Sequence, residues 1–375
     1  MLYLDNAATA PVRREVLEAM TPFLTSEFGN PSSSHQIGER AAAALADARR
    51  RVAHVLGVRT NDVIFTSGGT EANNLGIKGI AIAAGLESGA RHIITAPIEH
   101  SSVLASVDYL SRVHGAEVTF LPVDLNGRID ETSLASALRD DTAVVAIGHA
   151  NNEVGTVQPI AEIWEICRKA RVPLHIDAVQ GIGWCPVPRG DAIAVSGHKI
   201  GAPKGTGAVA IRAGIPLEPL LHGGGQERGR RSGTESVAGA VGLATALELA
   251  ETERAEAAPR LSAIRDRFIT DVLRQVPGAR LTGHPRDRLP HVASFTIDGV
   301  NGETLLLDLE QRGITASSGS ACSARNTEPS HVLLALGMDE STARTALRFS
   351  LPRTLRADLT PVATALSEAV SSHRL

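Results

Sequence analysis

Lysine is scarce in this sequence. It occurs only at Lys78, Lys169, Lys199 and Lys204, and every other permanently charged basic side chain is arginine. Chemistry that needs a primary amine therefore has four candidate residues. Cysteine is scarcer still: Cys167, Cys185 and Cys322 cannot build a disulfide framework and have no C-x-x-C spacing for zinc, so no metal is expected. Long apolar runs are missing. The longest apolar-leaning stretch, Val237 to Ala250, is interrupted by Glu248 and falls short of the ~18–20 residues of a membrane span. The N-terminal MLYLDNAATA lacks the basic region and apolar block of a signal peptide, so a soluble, cytoplasmic protein is expected. There is no excess of positive charge. Lys+Arg total 37 against 41 for Asp+Glu, a net charge of −4, and nothing in bulk composition suggests nucleic acid. Neither G-x-x-x-x-G-K-[ST] nor a G-x-G-x-x-G strand–helix turn occurs, which argues against nucleoside triphosphates and dinucleotides.

What is present is globular. Hydrophobic residues make up 43% and charged residues 21% of 375 residues, enough for two domains. Short apolar, β-branched runs are expected to be strands: Val63–Thr66, His92–Thr95, Glu117–Leu121, Ala143–Ile147, Leu174–Ile176, Ile193–Val195 and Gly207–Ile211. Helical spacing appears between many of them, at Glu71–Ile82 and Ile160–Arg171, and ahead of them at Arg40–Leu56, which stops at Gly57. Ser26–Gly38 is rich in turn residues and reads as a loop. Strands alternating with helices predict an α/β fold, a mostly parallel sheet wrapped on both faces. After about Thr252 the pattern changes. A charged helix is expected over Glu253–Val276, then a strand over His291–Ile297, a helix over Glu303–Arg312 and a Ser/Gly-rich loop over Ala316–Ser330. This predicts a second, smaller α+β domain.

Three strand ends carry candidate chemistry. Ser67-Gly68-Gly69-Thr70 joins a strand to a helix, where glycines allow a sharp turn and free N–H groups can receive an anion. On that segment alone, a plain capping turn is as good an explanation. Asp177 ends an apolar strand at the sheet edge where α/β proteins bind ligands. Taken singly it could simply cap a turn, but a protonated ring nitrogen would also suit it. Ser196-Gly197-His198-Lys199 ends another strand. Desolvation and nearby positive charge can lower the pKa of such a lysine and leave an amine able to form a Schiff base. Lys204, in a Pro/Gly loop, is its competitor; Lys78 and Lys169 lie within helices. A phosphate cradle, a strand-end carboxylate and a strand-end amine are together what pyridoxal phosphate requires.

With these segments in this order, the sequence resembles the cysteine desulfurases, pyridoxal-phosphate enzymes of the class V aminotransferase group. The resemblance rests on Thr66–Asn74, Glu99-His100, Asn151–Gly155, Asp177–Gln180 and Ser196–Lys199. It continues through Gly223–Gly229, Arg231–Thr234, Ser318–Cys322, Glu328–Ser330 and Leu347–Leu351, and so covers nearly the whole chain. It implies pyridoxal-phosphate fold type I, with a large cofactor domain over 15–255 and a small domain over 1–14 and 256–375. It implies a cofactor Schiff base on Lys199, with Asp177 on the pyridine nitrogen and Gln180 on the ring hydroxyl. Gly69, Thr70, Ser196 and His198 would bind the phosphate, joined by Thr234 from the other subunit of a homodimer. His100 would stack on the ring and move protons, as an acid or as a base. Asn152 would contact cofactor or substrate, and Arg348 would clamp the substrate carboxylate with two parallel bonds.

Cys322 lies in Ser317–Ser323, small, polar and expected to be a mobile loop with a reachable thiol, near Arg325. Cys167 falls on the apolar side of a helix and Cys185 in a Gly-Trp-Cys-Pro loop. The resemblance makes Cys322 the nucleophile that takes sulfur from L-cysteine as a persulfide, leaves alanine, and delivers the sulfur to an acceptor protein. Its Ser-Gly-Ser-Ala-Cys form is that of the nitrogenase and iron–sulfur-assembly group. The alternatives are a selenocysteine lyase or related β-lyase on the same fold, and a protein that only binds partners. Neither a membrane nor direct nucleic-acid contact is expected. Gln226 stands where many relatives have histidine, and Leu351-Pro352-Arg353 replaces the usual Leu-Gly-Arg. The sequence ends soon after Arg348, at Leu375, where iron–sulfur members often carry a longer tail, and this leaves the acceptor open.

Overall fold

The computed structural model describes residues 1–318 and 328–374. The chain opens with β1 (Leu2–Tyr3), α1 (Arg14–Thr25) and α2 (Gln36–Leu56). The expected loop after α1 ends at His35, because the His35 ring accepts the Gly38 N–H and caps α2. At the other end Gly57, with φ of 64°, closes α2 as the sequence predicts. There follow β2 (Val63–Thr66), α3 (Gly69–Ser88), β3 (His92–Thr95), α4 (Ser101–His114), β4 (Glu117–Phe120), α5 (Glu131–Ala137), β5 (Thr142–Gly148), α6 (Ile160–Ala170), β6 (Leu174–Asp177), β7 (Ala192–Ser196) and β8 (Gly207–Ile211). The third helix runs beyond the expected Ile82, through Gly85, and closes at Gly89, which takes φ of 76°.

These strands form a seven-stranded sheet in the order β2-β8-β7-β6-β5-β3-β4. Only β8 runs against the rest. Its central strands β6, β7 and β8 are buried at every position, as expected of apolar runs covered on both faces. Strand β3 pairs with β4 on one side and β5 on the other, so the order switches there. The carboxyl edge beside such a switch is where ligands bind in open α/β sheets.

The next element corrects an expectation. A single helix, α7 (Val237–Gln275), begins well before the charged helix that the sequence suggests over Glu253–Val276. The change near Thr252 is one of surroundings, not of backbone. Val241, Leu243, Ala244, Leu247 and Ala250 pack into the core of the large sheet. Ala257, Leu261, Phe268 and Val272 pack into a second core, where Phe268, Phe295 and Phe349 meet edge to face. That second core covers β9 (Ala279–Leu281) and β10 (Val292–Ile297). The chain continues through α8 (Gly302–Gln311), β11 (Ile314–Thr315), α9 (His331–Ala335), α10 (Glu340–Ala343), β12 (Leu347–Ser350) and α11 (Thr360–His373). An antiparallel sheet has the order β12-β10-β9, and β1 pairs with β11 in parallel. No helix among the described residues is long and apolar enough to cross a membrane.

Two glycines show how tightly the large sheet is built. A Cβ on Gly207 in β8 would lie 2.6 Å from Gly68 Cα, in the turn between β2 and α3. Gly207→Ala should destabilise the protein by about 1–3 kcal/mol, as overpacking does. Gly85, inside α3, would meet only the Ala90 carbonyl oxygen, at 3.5 Å. Gly85→Ala should stabilise by about 0.5–1 kcal/mol. Thermal unfolding of the two variants should move Tm in opposite directions, and a fall for both would contradict this reading of α3.

Candidate active site

A cavity of about 520 Å³ opens at the carboxyl edge of the large sheet. Gly69, Thr70, His100, Asn152, Asp177, Gln180, Ser196, His198, Lys199 and Arg348 all line it. Of the residues expected from the sequence, Thr234 does not. It borders a neighbouring depression with Ser67 and Gly205. Cys322 lies outside the described residues.

The sheet explains much of the convergence, since most lining segments lie at or just after the end of a strand. After β2, Gly68 takes φ of 153°, a conformation that side chains resist, and turns the chain into α3. Ser67, Gly69 and Thr70, at the start of that helix, line the cavity, and the first N–H groups of a helix have no intrahelical partner. A Cβ on Gly69 would sit 2.8 Å from Val179 Cγ2 and 3.2 Å from Ser196 Cβ. Only glycine leaves this concavity open, which fits a phosphate group at the helix N-terminus. After β7, His198 Nδ1 meets Thr9 Oγ1 at 3.2 Å. Burial, with Lys199 and Lys204 adding to it, pushes the His198 pKa down to about 4, so it stands as a neutral ring.

Lys199 donates from Nζ to the main-chain oxygens of Ala7 and Ala8, at 2.6 and 2.8 Å. Lys204 also reaches the cavity but is exposed. Lys78 lies over the Tyr109 ring, 4.3 Å from its centroid, and Lys169 is exposed on α6. After β6, the buried Asp177 accepts from Val179 N–H at 3.0 Å and from Asn73 Nδ2 at 2.7 Å. Gln180 donates to the Ala7 carbonyl oxygen at 3.0 Å. A small anion cradle, a strand-end amine and a buried carboxylate thus share one cavity, and their donor set fits pyridoxal phosphate.

The opposite wall comes from β12. Arg348 is buried, and it donates to Asp5 Oδ1 at 2.6 Å and to the Asn152 carbonyl oxygen at 2.8 Å. Asn151 shapes the neighbouring turn: its Oδ1 accepts the N–H groups of Glu153 and Val154, and its Nδ2 holds the Ile98 carbonyl oxygen. Both flanks of the segment that contains Cys322 are fixed to this wall. Ser317 exchanges two backbone bonds with Arg348, at 2.7 and 3.1 Å. Ser330 donates to Glu153, and His331 Nε2 donates to the Glu99 carbonyl oxygen at 3.0 Å. The other two cysteines are buried, and burial pushes both thiols up to about 12.

Sequence reading assigned no role to Asn73, Ser102, Glu99, Asp5, Ala7 or Ala8. Asn73 carried a signal, since it lies one helical turn beyond Gly69 in a segment already singled out. Glu99 also lay in a segment already singled out, beside His100, and Ser102 lies two residues beyond His100; Asp5, Ala7 and Ala8 carried none, because their partners lie far away in the chain. Glu99 is the most unusual chemically. Burial pushes its carboxyl group up to about 8, against a backbone hydrogen bond from Gly148, and the charge of Asp177 adds to the rise. Between pH 4.5 and about 8 the folded protein keeps a proton that the unfolded chain releases. This group therefore lowers stability as pH climbs through that window. Glu99→Gln removes the dependence, so its Tm should gain on that of the wild type from pH 5 to pH 8. A constant Tm difference would contradict a protonated Glu99.

Residues 2–358 match the Aminotransferase class-V family. The chain is 48% identical to the cysteine desulfurase IscS of Methanosarcina thermophila, over 94% of this chain and 87% of that one. A solved NifS-like protein superposes with a TM-score of 0.91 at 38% identity, covering 99% of both chains. The structure of SspA in complex with cysteine superposes with a TM-score of 0.81 at 35% identity, over 94% of this chain and 99% of that one. With this likeness along its length, the chain belongs to the class V aminotransferase family and is a pyridoxal-phosphate-dependent cysteine desulfurase.

Proposed function

We propose that the cavity at the carboxyl edge is where this chain desulfurates L-cysteine, with Lys199, Asp177, His100 and Cys322 as its working residues. The observation that carries this reading is the convergence of strand ends. The anion cradle, Lys199 and Asp177 open onto one cavity, and both flanks of the Cys322 segment are tied to its wall. When bound, pyridoxal phosphate supplies an electron sink for the negative charge left as the substrate loses its α-proton. Gly69, Thr70, Ser196 and His198 would hold its phosphate, Asp177 its ring nitrogen, Gln180 its ring hydroxyl and Lys199 its aldehyde carbon. Thr234 lies outside the cavity of its own chain, which supports its delivery across a homodimer interface.

The residues of the chain then divide the work. Arg348, oriented by Asp5, binds the substrate carboxylate, and Asn152 contacts the bound molecule beside it. Lys199 Nζ takes the α-proton. The Cys322 thiolate forms an S–S bond to the substrate sulfur as the carbon–sulfur bond breaks. Its electron pair stays on the three-carbon fragment, which is protonated and leaves as alanine. Cys322 is left as a persulfide, for transfer to an acceptor protein.

Lys199→Ala should abolish both the visible absorbance of the bound cofactor and alanine production, whereas Lys204→Ala should keep them. The reverse pattern would reassign the amine. Cys322→Ser should still show an absorbance change on adding cysteine, yet accumulate neither alanine nor persulfide, because a hydroxyl is a poor nucleophile toward sulfur. Cys167→Ser and Cys185→Ser should retain both products, since burial keeps those thiols protonated. Alanine release measured beside persulfide labelling separates the cases. Full alanine production by the Cys322 variant would favour direct elimination, the lyase alternative.

A further inference from the structure

His100 caps α4, and its Nδ1 accepts the Ser102 N–H at 3.1 Å. A backbone amide can only donate, so in this geometry Nδ1 presents its lone pair. The Ser102 hydroxyl lies 2.8 Å from the same nitrogen, and the groups behind it fix its direction. Asn73 Nδ2 donates to Ser102 Oγ at 2.9 Å and to Asp177 Oδ2 at 2.7 Å, which uses both of its amide hydrogens. A flipped Asn73 amide would set oxygen against the Asp177 carboxylate. Asn73 Oδ1 instead receives His175 Nε2 at 3.0 Å. Burial pushes the His175 pKa down to about 4, so that ring is neutral and its one N–H points to Asn73. Its Nδ1 has no hydrogen-bond partner, and a Cβ on Gly76 would lie 2.4 Å from it. Having accepted from Asn73, the Ser102 hydroxyl turns its own hydrogen to His100.

We infer that His100 is held as the Nε2–H tautomer, so that it meets the reacting substrate as a hydrogen-bond donor and not as a base, with Asn73 and Ser102 as the positioning residues. This rests on the reading of His100 as a working residue of the cavity. A base at Nε2 would need its proton on Nδ1, where it would face two donors. A neutral imidazole held at a helix N-terminus can instead stabilise an atom on which negative charge builds, without giving up its proton.

The test is ¹⁵N NMR of histidine-labelled enzyme carrying pyridoxal phosphate, with His100→Gln supplying the assignment. At neutral pH Nε2 should be protonated and Nδ1 not. Ser102→Ala keeps only the amide donor and should lower kcat by about three- to tenfold, the worth of one hydrogen bond, with KM for cysteine little changed. Ser102→Thr should restore the rate. A proton on Nδ1, or wild-type kcat in Ser102→Ala, would overturn the inference. An Nε2–H tautomer together with full turnover in His100→Ala, which has no side-chain donor, would overturn the donor role alone and leave the roles of Lys199 and Cys322 standing.

Discussion

The site depends on one buried carboxylate. Asp177 closes β6 in the middle of the large sheet, where an uncompensated charge is costly. Its surroundings are arranged around that charge. Asn73 and the Val179 amide donate to it, while the neighbouring titratable groups are neutral: burial pushes His149 and His175 down to about 4 and Glu99 up to about 8. With His149, His175 and Glu99 neutral, Asp177 is the group among these neighbours that suits the cationic ring nitrogen proposed as its partner. A second ionised carboxylate there would raise the electrostatic cost of the site and blur where the cation should sit.

The proposed clamp for the substrate carboxylate is built from the other end of the sequence. Arg348 belongs to β12, yet its carboxylate partner Asp5 follows β1. Ser350 accepts Ala7 N–H through its side chain and Asn6 N–H through its backbone, so the first residues are held against β12. The carbonyl groups of Ala7 and Ala8 then meet Lys199, and that of Ala7 also meets Gln180. A short N-terminal segment thus bridges the lysine-bearing edge of one sheet and the arginine-bearing strand of the other. Shifting it would disturb amine, arginine and Gln180 together.

How much of this was legible in the sequence follows from the range of each interaction. The strand-end positions of Asp177 and Lys199 and the turn at Ser67–Thr70 are local patterns, and their residues meet at one edge because parallel strands present their carboxyl ends together. The Asp5–Arg348 pair and the Ala7 and Ala8 carbonyls are not legible, because they join chain ends through the backbone and carry no spacing signal. The unusual state of Glu99 is invisible for another reason: it comes from complete burial, and no run of neighbours announces that. The long α7 was misread because composition reports the environment of a helix, and here one helix crosses two environments.

The Ser102 contact also bears on how His100 and the flanks of the proposed nucleophile segment are held by different parts of the chain. His100 is fixed by bonds within its own helix turn and by Asn73 on α3, inside the large sheet's framework. The Cys322 segment starts from β12's neighbour Ser317 and returns through Ser330 and His331 to Glu153 and Glu99. His331 meets the backbone of Glu99, not its side chain. The returning flank is thereby registered against the residue preceding His100 through a bond distinct from those that Ser102 makes to the ring. In the proposed reaction sulfur travels from substrate to acceptor, whereas a hydrogen-bond donor must stay aligned to a fraction of an ångström. For that reaction, attaching the returning flank and the His100 cap to the same short backbone stretch through different bonds keeps the ring's alignment tied to Ser102 and Asn73.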